Sequence, residues 1–265
     1  MKLKRADVAV VIPIYKELDP EERISLNQCS RLLGRAGYHL FLVKPERLDV
    51  TDVLKEFPGL SVENFDNHWF ESLRSYNKFV LQEEFYSRFS AYKYMLIYQL
   101  DAYVFRGGDE LLRWCRKGYD YIGAPWMPYK KIYLNVFGRM YLNMVFTLFS
   151  KFHDRYHHDF HRNQVGNGGL SLRKVDKFIY LTQKYRSLFD SLLQDDKSFY
   201  PEDLMLLYEL QNTSDRLKKP SFNRAIRFAF EENPEVALKY THDRLPFGCH
   251  AWTHPSFSNF WSNFI

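Results

Sequence analysis

Apolar and polar positions alternate along the first half of the chain in blocks that predict strands and helices in turn. The segments at 6–14, 38–43, 60–65, 95–100 and 119–124, in which apolar residues recur, predict strands. The segments at 20–35 and 72–89 carry apolar residues at helical spacing and predict helices. Strands that alternate with helices are typical of α/β proteins. We therefore predict an α/β fold with a mostly parallel, Rossmann-like sheet flanked by helices.

The run at 95–100 is apolar except for Gln99, and Asp101 follows it directly. Such a run is typical of a strand buried on both faces of a parallel sheet. Ligands of open α/β sheets bind at the carboxyl ends of the strands. We therefore predict that Asp101 is a functional carboxylate and not an incidental surface charge.

The pattern changes after residue 125. The segment at 132–152 is rich in aromatic and aliphatic residues, but Asn135, Arg139 and Asn143 interrupt it, which argues against a transmembrane span. A core helix is favoured there, and a helix lying on a membrane surface is the alternative. No repeat or low-complexity linker divides the chain. We therefore predict a single domain, residues 1–265, built from halves at 1–125 and 126–265.

The charge and the cysteine content of the chain limit the kinds of ligand and the cellular compartment that we predict. The net charge of +5 suits a phosphorylated ligand or loose contact with an anionic membrane, whereas scattered lysines and arginines give no reason to expect nucleic acid. Three dispersed cysteines indicate a reducing compartment. The first strand begins with no apolar leader before it. These features predict a cytoplasmic protein.

Phosphate binding needs a device other than a glycine-rich loop, because the turn at 13–17 contains no glycine. A divalent cation held by oxygen ligands is one such device. Glu202 and Asp203 lie just inside a predicted helix start after Pro201. They either stabilise the helix dipole, by about 0.3–1 kcal/mol, or act as proton acceptors.

A zinc site on the helical face of His153, His157 and His161 is not favoured, because further ligands would be needed.

Seven short motifs occur together and in a characteristic order. They are VIPIY (11–15), LDAYVF (100–105), GDEL (108–111), YDYIGAP (119–125), GNGGLSLR (166–173), PED (201–203) and GCHAW (248–252). In this order the chain, from about residue 8 to 252, resembles the glycosyltransferases of the GT-A fold, and most closely bacterial members associated with surface polysaccharides. The resemblance implies a nucleotide-sugar-binding half at 1–125 and a smaller acceptor-binding and catalytic half at 126–265.

The resemblance also implies where the donor binds. The nucleotide-sugar site would comprise Pro13, Tyr15, Glu17, Asp66, Asn77, Lys78, Asp101 and Tyr103. In the family an Asp-x-Asp motif binds ribose and a Mn²⁺ or Mg²⁺ ion, but here Tyr103 replaces the second Asp, and a phenol with a pKa of about 10 is a poor ligand. Two alternatives follow. Either Asp101 and His250 hold the ion with the diphosphate, or Asp101 binds only ribose and a cation such as Lys78 neutralises the phosphates.

For the acceptor half, the resemblance implies that Asp203 is the general base of an inverting transfer and that Glu202 supports the acceptor, although the two roles are exchangeable. Acceptor contacts would come from Trp126, Asn167, Gly168, Gly169 and Trp252. A tight turn at 166–169 and buried tryptophans are the structural alternatives.

The expected reaction moves a sugar from a nucleotide-diphosphate donor, UDP by family frequency, to a glycan or a lipid-linked acceptor. A lipid-linked acceptor would bring the protein into peripheral contact with the inner face of the membrane. The alternatives are a non-catalytic glycan- or nucleotide-binding module on a degenerate scaffold and a retaining transferase. A metal-dependent hydrolase is disfavoured, because the sequence lacks clustered ligands for one.

Overall fold

The computed structural model describes residues 3–127, 164–193 and 201–265. The predicted segment at 132–152 and the histidines at 153–161 lie outside these ranges. Six strands form the main sheet, in the order β3-β2-β1-β4-β7-β6. They are β1 (Val8–Pro13), β2 (His39–Pro45), β3 (Leu60–Phe65), β4 (Tyr94–Tyr98), β6 (Tyr121–Ile122) and β7 (Leu170–Lys174).

The strands β1 to β4 run parallel, with Val10 of β1 opposite Leu40 of β2 and Leu96 of β4. The strand β7 lies antiparallel to both β4 and β6, and Tyr98 of β4 faces Leu170. One apolar cluster covers each face of this sheet. The predicted α/β class with a mostly parallel sheet flanked by helices is confirmed.

Short helices connect and cover the strands. They are α1 (Pro20–Cys29), α2 (Thr51–Glu56), α3 (Leu73–Phe79), α4 (Glu83–Ser87), α5 (Glu110–Arg116), α6 (Val175–Lys184), α7 (Arg186–Leu193), α8 (Glu202–Tyr208), α9 (Phe222–Ala225), α10 (Pro234–Tyr240) and α11 (Ser258–Trp261). Within the described ranges, no helix has the length and apolarity that crossing a bilayer requires.

Two predicted helices differ from the structure. The first ends as an α-helix at Cys29 and continues as a π-helical turn over Ser30–Gly34. The helix predicted at 72–89 is two helices, α3 and α4, because the chain turns at 80–82. This turn lets Phe79 and Phe85 meet in the same core, with ring centroids 4.9 Å apart. On one continuous helix, residues six positions apart would face different sides.

A second sheet has three strands, the first of which lies in the segment that follows β4. It consists of β5 (Tyr103–Val104), β8 (Ala229–Phe230) and β9 (Gly248–Cys249), in the order β5-β9-β8. The strand β5 is antiparallel to β9, which is parallel to β8. As a result, Asp101 before β5 lies at the same end of this small sheet as the residues that follow β8 and β9.

Candidate functional site

A cleft opens at the carboxyl edge of β1 and β4, where the fold predicts a ligand. Its cavity of about 380 Å³ falls within the size range of small-molecule sites. The lining residues come from the end of β1, the start of α1, the turn into α3 and the end of β4: Pro13, Ile14, Tyr15, Lys16, Glu22, Phe70, Glu71, Ser72, Leu73, Tyr76, Gln99, Leu100 and Asp101.

His250 stands beside Asp101 at this edge. Its Nε2 lies 3.1 Å from Asp101 Oδ1 and 3.2 Å from Gln99 Oε1, and its Nδ1 lies 3.1 Å from Glu231 Oε1. Burial acts to lower the pKa of His250, but the carboxylates of Asp101 and Glu231 outweigh it and raise this pKa to about 10. Burial would in turn raise the pKa of Asp101, but the charge and hydrogen bond of His250 bring it below its ordinary value.

Asn167 connects this pair to Asp203. The Asn167 backbone is left-handed, with a φ of 69°. Its N–H donates to Asp203 Oδ2 at 3.1 Å, and its side-chain Nδ2 lies 3.2 Å from His250 Nδ1. Its Oδ1 accepts from the N–H of Gly169 at 3.1 Å, which holds the turn. One residue therefore positions both the predicted base and the histidine.

Asp203 is partly exposed and sits in the first turn of α8. Burial is the main cause that raises its pKa to about 7, and the negative charges of Glu202 and Glu231 act in the same direction. A carboxylate with a pKa near neutrality suits a general base. Lys219 belongs to the same environment: it donates to the Val165 carbonyl at 3.1 Å, and burial lowers its pKa to about 8.

Glu202, next to Asp203, has an internal role that differs from the predicted acceptor contact. It is buried and accepts a hydrogen bond from Arg173, whose guanidinium is fully buried and also donates to the Tyr86 hydroxyl at 2.7 Å. Its backbone N–H donates to Asn77 Oδ1 at 2.9 Å. Asn77 is also buried, and this hydrogen bond fastens it to the start of α8.

The glycines at 166–169 are packed against the protein's own side chains. A Cβ at Gly169 would lie 2.0 Å from His250 Nε2, and one at Gly168 would lie 2.8 Å from Glu202 Oε1. A Cβ at Gly166 would lie 1.7 Å from the Trp126 ring. On the side where a Cβ would stand, Gly168 and Gly169 therefore contact Glu202 and His250, and the absence of a side chain lets these two residues come close to the backbone.

The two predicted tryptophan platforms are buried as well. Trp126 packs on Gly166, and Trp252 is only 9% exposed. The backbone N–H of Trp252 donates to the Asp101 carbonyl at 3.1 Å, so Trp252 helps to hold the segment that bears Asp101. The Tyr103 ring packs between Phe105 and Trp252, at 5.4 and 6.1 Å, and does not stand in for a second acidic ligand.

The remaining donor-site predictions divide into two groups. Pro13 and Tyr15 line the cleft. Glu17, Asp66 and Lys78 are not among its lining residues. Asp66 instead accepts from the His68 N–H at 3.0 Å and caps the turn at Asn67–Phe70.

Several residues in or near the site were not predicted from the sequence. Lys16, Ser72, Tyr76 and Gln99 line the cleft. Glu231 contacts His250, and Lys219 interacts with the charge of Asp203. Lys16 lies in the cleft as an ion-pair partner of Asp19, at 2.8 Å. Its position directly after the VIPIY strand was the available signal. No local pattern marks the others, whose neighbours come from distant parts of the chain.

Asp101 and His250 would fit a divalent cation once His250 Nε2 has given up its proton, because a protonated ring nitrogen has no lone pair for a metal. Their facing atoms are 3.1 Å apart, close to the roughly 3.0 Å expected between neighbouring ligands of an octahedral ion with bonds of about 2.1 Å. Glu231 holds the other ring nitrogen, as carboxylates do for metal-bound histidines. Among the described residues no group of three or more metal-binding side chains occurs, so an ion here would depend on substrate oxygens.

Comparison with known proteins gives one family and a set of shared folds. The family model described as "Protein of unknown function (DUF5672)" matches residues 59–250. No curated protein matches the chain.

Among solved structures, the galactosyltransferase LgtC, in complex with donor and acceptor sugar analogues, is similar with a TM-score of 0.56 and 11% identity. The similarity covers 96% of this chain and 95% of LgtC. Core-mannan synthase A of Aspergillus fumigatus, in a Mn/GDP form, has a TM-score of 0.53 and 12% identity, with 82% of this chain and 73% of that chain covered.

The glycosyltransferase GlyE of Streptococcus pneumoniae has a TM-score of 0.51 and 11% identity, with 92% of this chain covered. The chain spans about half of that relative, 54% of its length. Identities this low show the fold alone. The fold of this chain is the α/β fold of GT-A glycosyltransferases, as the motifs predicted.

Proposed function

The chain belongs to the family described as a protein of unknown function (DUF5672), and we propose that it is a glycosyltransferase. It would move a sugar from a nucleotide-diphosphate donor, UDP-linked, to a glycan or a lipid-linked acceptor. One observation carries the proposal: Asp203, Asn167, His250 and Asp101 form a continuous series of contacts next to the cleft at the carboxyl edge of β4. The proposal is supported by this series because Asp203, whose pKa is raised to about 7, is connected through it to Asp101 at the cleft.

The donor would lie in the cleft, between Pro13 and Tyr15 on one side and Asp101 on the other. Asp101 and His250 would hold a Mn²⁺ or Mg²⁺ ion, which when bound supplies positive charge to the departing diphosphate. Glu231 and Asn167 both face His250 Nδ1, which leaves Nε2 as the nitrogen that faces Asp101. If Asp101 binds only ribose, Lys16 and protonated His250 are positive groups at the cleft edge, whereas Lys78 is not among the lining residues.

Asp203 would act on the acceptor. As the acceptor oxygen forms its bond to the anomeric carbon, the hydroxyl proton passes to a carboxylate oxygen of Asp203, and the bond from that carbon to the diphosphate oxygen breaks. The diphosphate leaves with both bonding electrons. Attack on the face opposite the leaving group inverts the anomeric configuration. The Asn167 N–H, which donates to Asp203, fixes the direction of the carboxylate.

Two other functions remain as alternatives. A binding module without turnover is favoured by Tyr103, whose side chain is packed in the small-sheet core and leaves one acidic side chain in the LDAYVF motif. Against it stands Asp203, since a pure binding site needs no base. A retaining transferase would use the same donor cleft, and the product anomer distinguishes it.

The two-half organisation, the bacterial surface-polysaccharide role and a cytoplasmic location at the inner face of the membrane are parts of the same proposal. The location is supported by Cys29, Cys115 and Cys249, all buried and free.

The test begins with donor binding. UDP and GDP are added with and without Mn²⁺, and the melting temperature is measured for the wild type, Asp101→Asn and Asp203→Asn. A ligand at 100 times its Kd adds about 2.7 kcal/mol of stability, which gives a clear shift. We expect a UDP shift that Mn²⁺ enlarges, that Asp101→Asn diminishes and that Asp203→Asn leaves in place.

Turnover is then measured as UDP released from a panel of UDP-sugars with glycan acceptors, and the product anomer is read by NMR. Asp52→Asn is the matched control, because Asp52 is also the second residue of a short helix but is exposed. Nucleotide binding without turnover on any donor would select the binding module. The absence of any nucleotide shift would contradict the donor cleft itself.

A further inference from the structure

A second concave site lies away from the cleft, at the opposite end of the small sheet. We name it the basic cavity: its cationic lining consists of Arg106, Arg113, Lys117, Arg227, Lys239 and Arg244. Arg106 follows β5 and Arg227 precedes β8, whereas Asp101 precedes β5 and Glu231 follows β8. The basic cavity and the cleft share no lining residue and are therefore separate sites.

The charge of this cavity is not balanced by the protein. All six cationic side chains belong to exposed residues. Glu110 is the one carboxylate among the lining residues, and it is paired with Arg113 at 3.0 Å. Within the described residues, none of the other five cations has an ion pair with a carboxylate.

Other surface cations of this protein do have such partners. Arg5 pairs with Asp109 at 2.8 Å, and Lys184 pairs with Asp215. Like charges held close together repel, so an unpaired cluster of cations is stabilised when an anion enters it.

The cavity is also shaped to hold a ligand. Its volume is about 1020 Å³, large enough for a small molecule with several charged groups. Buried Trp114 and Ile226 form its floor, and Lys117 Nζ lies 5.1 Å from the centre of the Trp114 ring. The Arg106 guanidinium is oriented by a 2.8 Å hydrogen bond to the Leu245 carbonyl.

We propose that the basic cavity binds a ligand that carries two or more phosphate groups. Arginine presents a planar fork of N–H donors that matches phosphate oxygens, and three of the five unpaired cations are arginines. The concave shape admits a compact polyphosphate group, and the spread of cations around the rim engages more than one phosphate. The same chemistry is offered by a free phosphorylated molecule and by a phosphorylated lipid headgroup, which the experiment separates.

The probe for a free ligand is inorganic tripolyphosphate, titrated by calorimetry. The probe for a headgroup is a vesicle of phosphatidylcholine with or without phosphatidylinositol bisphosphate, measured by co-sedimentation. The double variant Lys239→Gln, Arg244→Gln removes two exposed rim cations. Its matched control, Arg47→Gln, Lys55→Gln, removes the same two charges near the β3 edge of the main sheet.

We expect the rim variant to weaken tripolyphosphate binding by about tenfold or more, since two charge-assisted contacts are lost. The control should change it by less than about twofold, because exposed charges beyond a Debye length are screened. Glu110→Gln should tighten binding, a gain that a folding defect does not produce.

Binding of the phosphoinositide vesicles alone, lost in the rim variant, would support the site and identify a lipid headgroup as the source. Binding of neither probe would overturn the proposal. Equal losses in the rim variant and the control would overturn it too, because the probe would then be held by general charge.

Discussion

Two polar clusters meet at the start of α8 and have opposite designs. The interior cluster comprises Tyr86, Arg173 and Glu202, and the cleft cluster comprises Asp101, Asn167, Asp203 and His250. In the interior cluster Arg173 is fully buried and its guanidinium donates to Glu202, Tyr86 and Ser171. In the cleft cluster the Asp101 side chain is 40% exposed and Asp203 is partly exposed.

This difference in burial assigns different roles to two consecutive residues: Glu202 stabilises the fold, and Asp203 is available for chemistry. A charge buried with its partner is costly to leave alone, so the interior cluster holds the fold in place. A carboxylate that is partly exposed to solvent and has a raised pKa can accept a proton near neutral pH. We therefore infer that Glu202 anchors the start of α8 to Arg173 and Asn77 and that Asp203 is the reactive group of this helix.

The largest expected effect is on turnover in Asp203→Asn. Loss of a positioned general base lowers kcat by about 10²–10⁴-fold, while the UDP-induced melting shift should stay near that of the wild type. The measurement is steady-state UDP release with a transferring acceptor. Asp52→Asn is the control and should match the wild type. Near-normal turnover in Asp203→Asn would contradict the assignment of Asp203 as the base. Asp203 and Glu202 would then no longer differ in their role in catalysis.

The next effect is on stability in Glu202→Gln. The change leaves buried Arg173 without its carboxylate, and we expect a loss of about 3 kcal/mol in the free energy of unfolding. Urea unfolding measures it. Glu83→Gln is the matched control, because Glu83 is also the first residue of a short helix but is half-exposed, and it should change little. If Glu202→Gln unfolds like the wild type but loses turnover, the two carboxylates have exchanged roles.

A smaller, local effect is expected in Gly169→Ala. The new Cβ would lie 2.0 Å from His250 Nε2, so the ring must move away from Asp101. We expect a loss of about 1–3 kcal/mol in stability from overpacking, together with a reduced Mn²⁺ contribution to the UDP melting shift. Gly59→Ala is the control, since a Cβ there meets nothing within 4 Å. An unchanged Mn²⁺ contribution would separate His250 from metal binding.

The sequence predicts the parallel strands and the place of Asp101 well, because both depend on local patterns. The apolar run at 95–100 had to be a covered strand, and its end had to lie at the carboxyl edge of the sheet. The turn at 80–82 was missed because helical periodicity continues through it. Only the packing of Phe79 on Phe85 reveals the break.

The internal role of Glu202 could not be predicted, because its partners are Arg173 and Asn77, which are 29 and 125 residues away. The adjacent letters Glu-Asp carry no sign of which side chain faces inward. The glycines at 168 and 169 illustrate the same limit. A glycine marks a close approach, but only the structure identifies the approaching group as Glu202 or His250 and not a sugar.

The last effect is a pH dependence that distinguishes the two clusters without removing either. The pKa of Asp203 is raised from about 3.8 to about 7, mainly by burial, so the folded state binds this proton more tightly than the unfolded state. The stability that Asp203 contributes is therefore complete below pH 4 and is lost as the pH rises through 7. Asp203→Asn, which carries no charge to bury, should match the wild type in melting temperature at low pH and exceed it at pH 8.

Wild-type turnover should rise over the same pH interval in which the stability of the wild type falls relative to Asp203→Asn, because the same deprotonation creates the base. A melting-temperature difference that is constant from pH 5 to pH 8 would contradict the raised pKa, and with it the physical reason for treating Asp203 differently from Glu202.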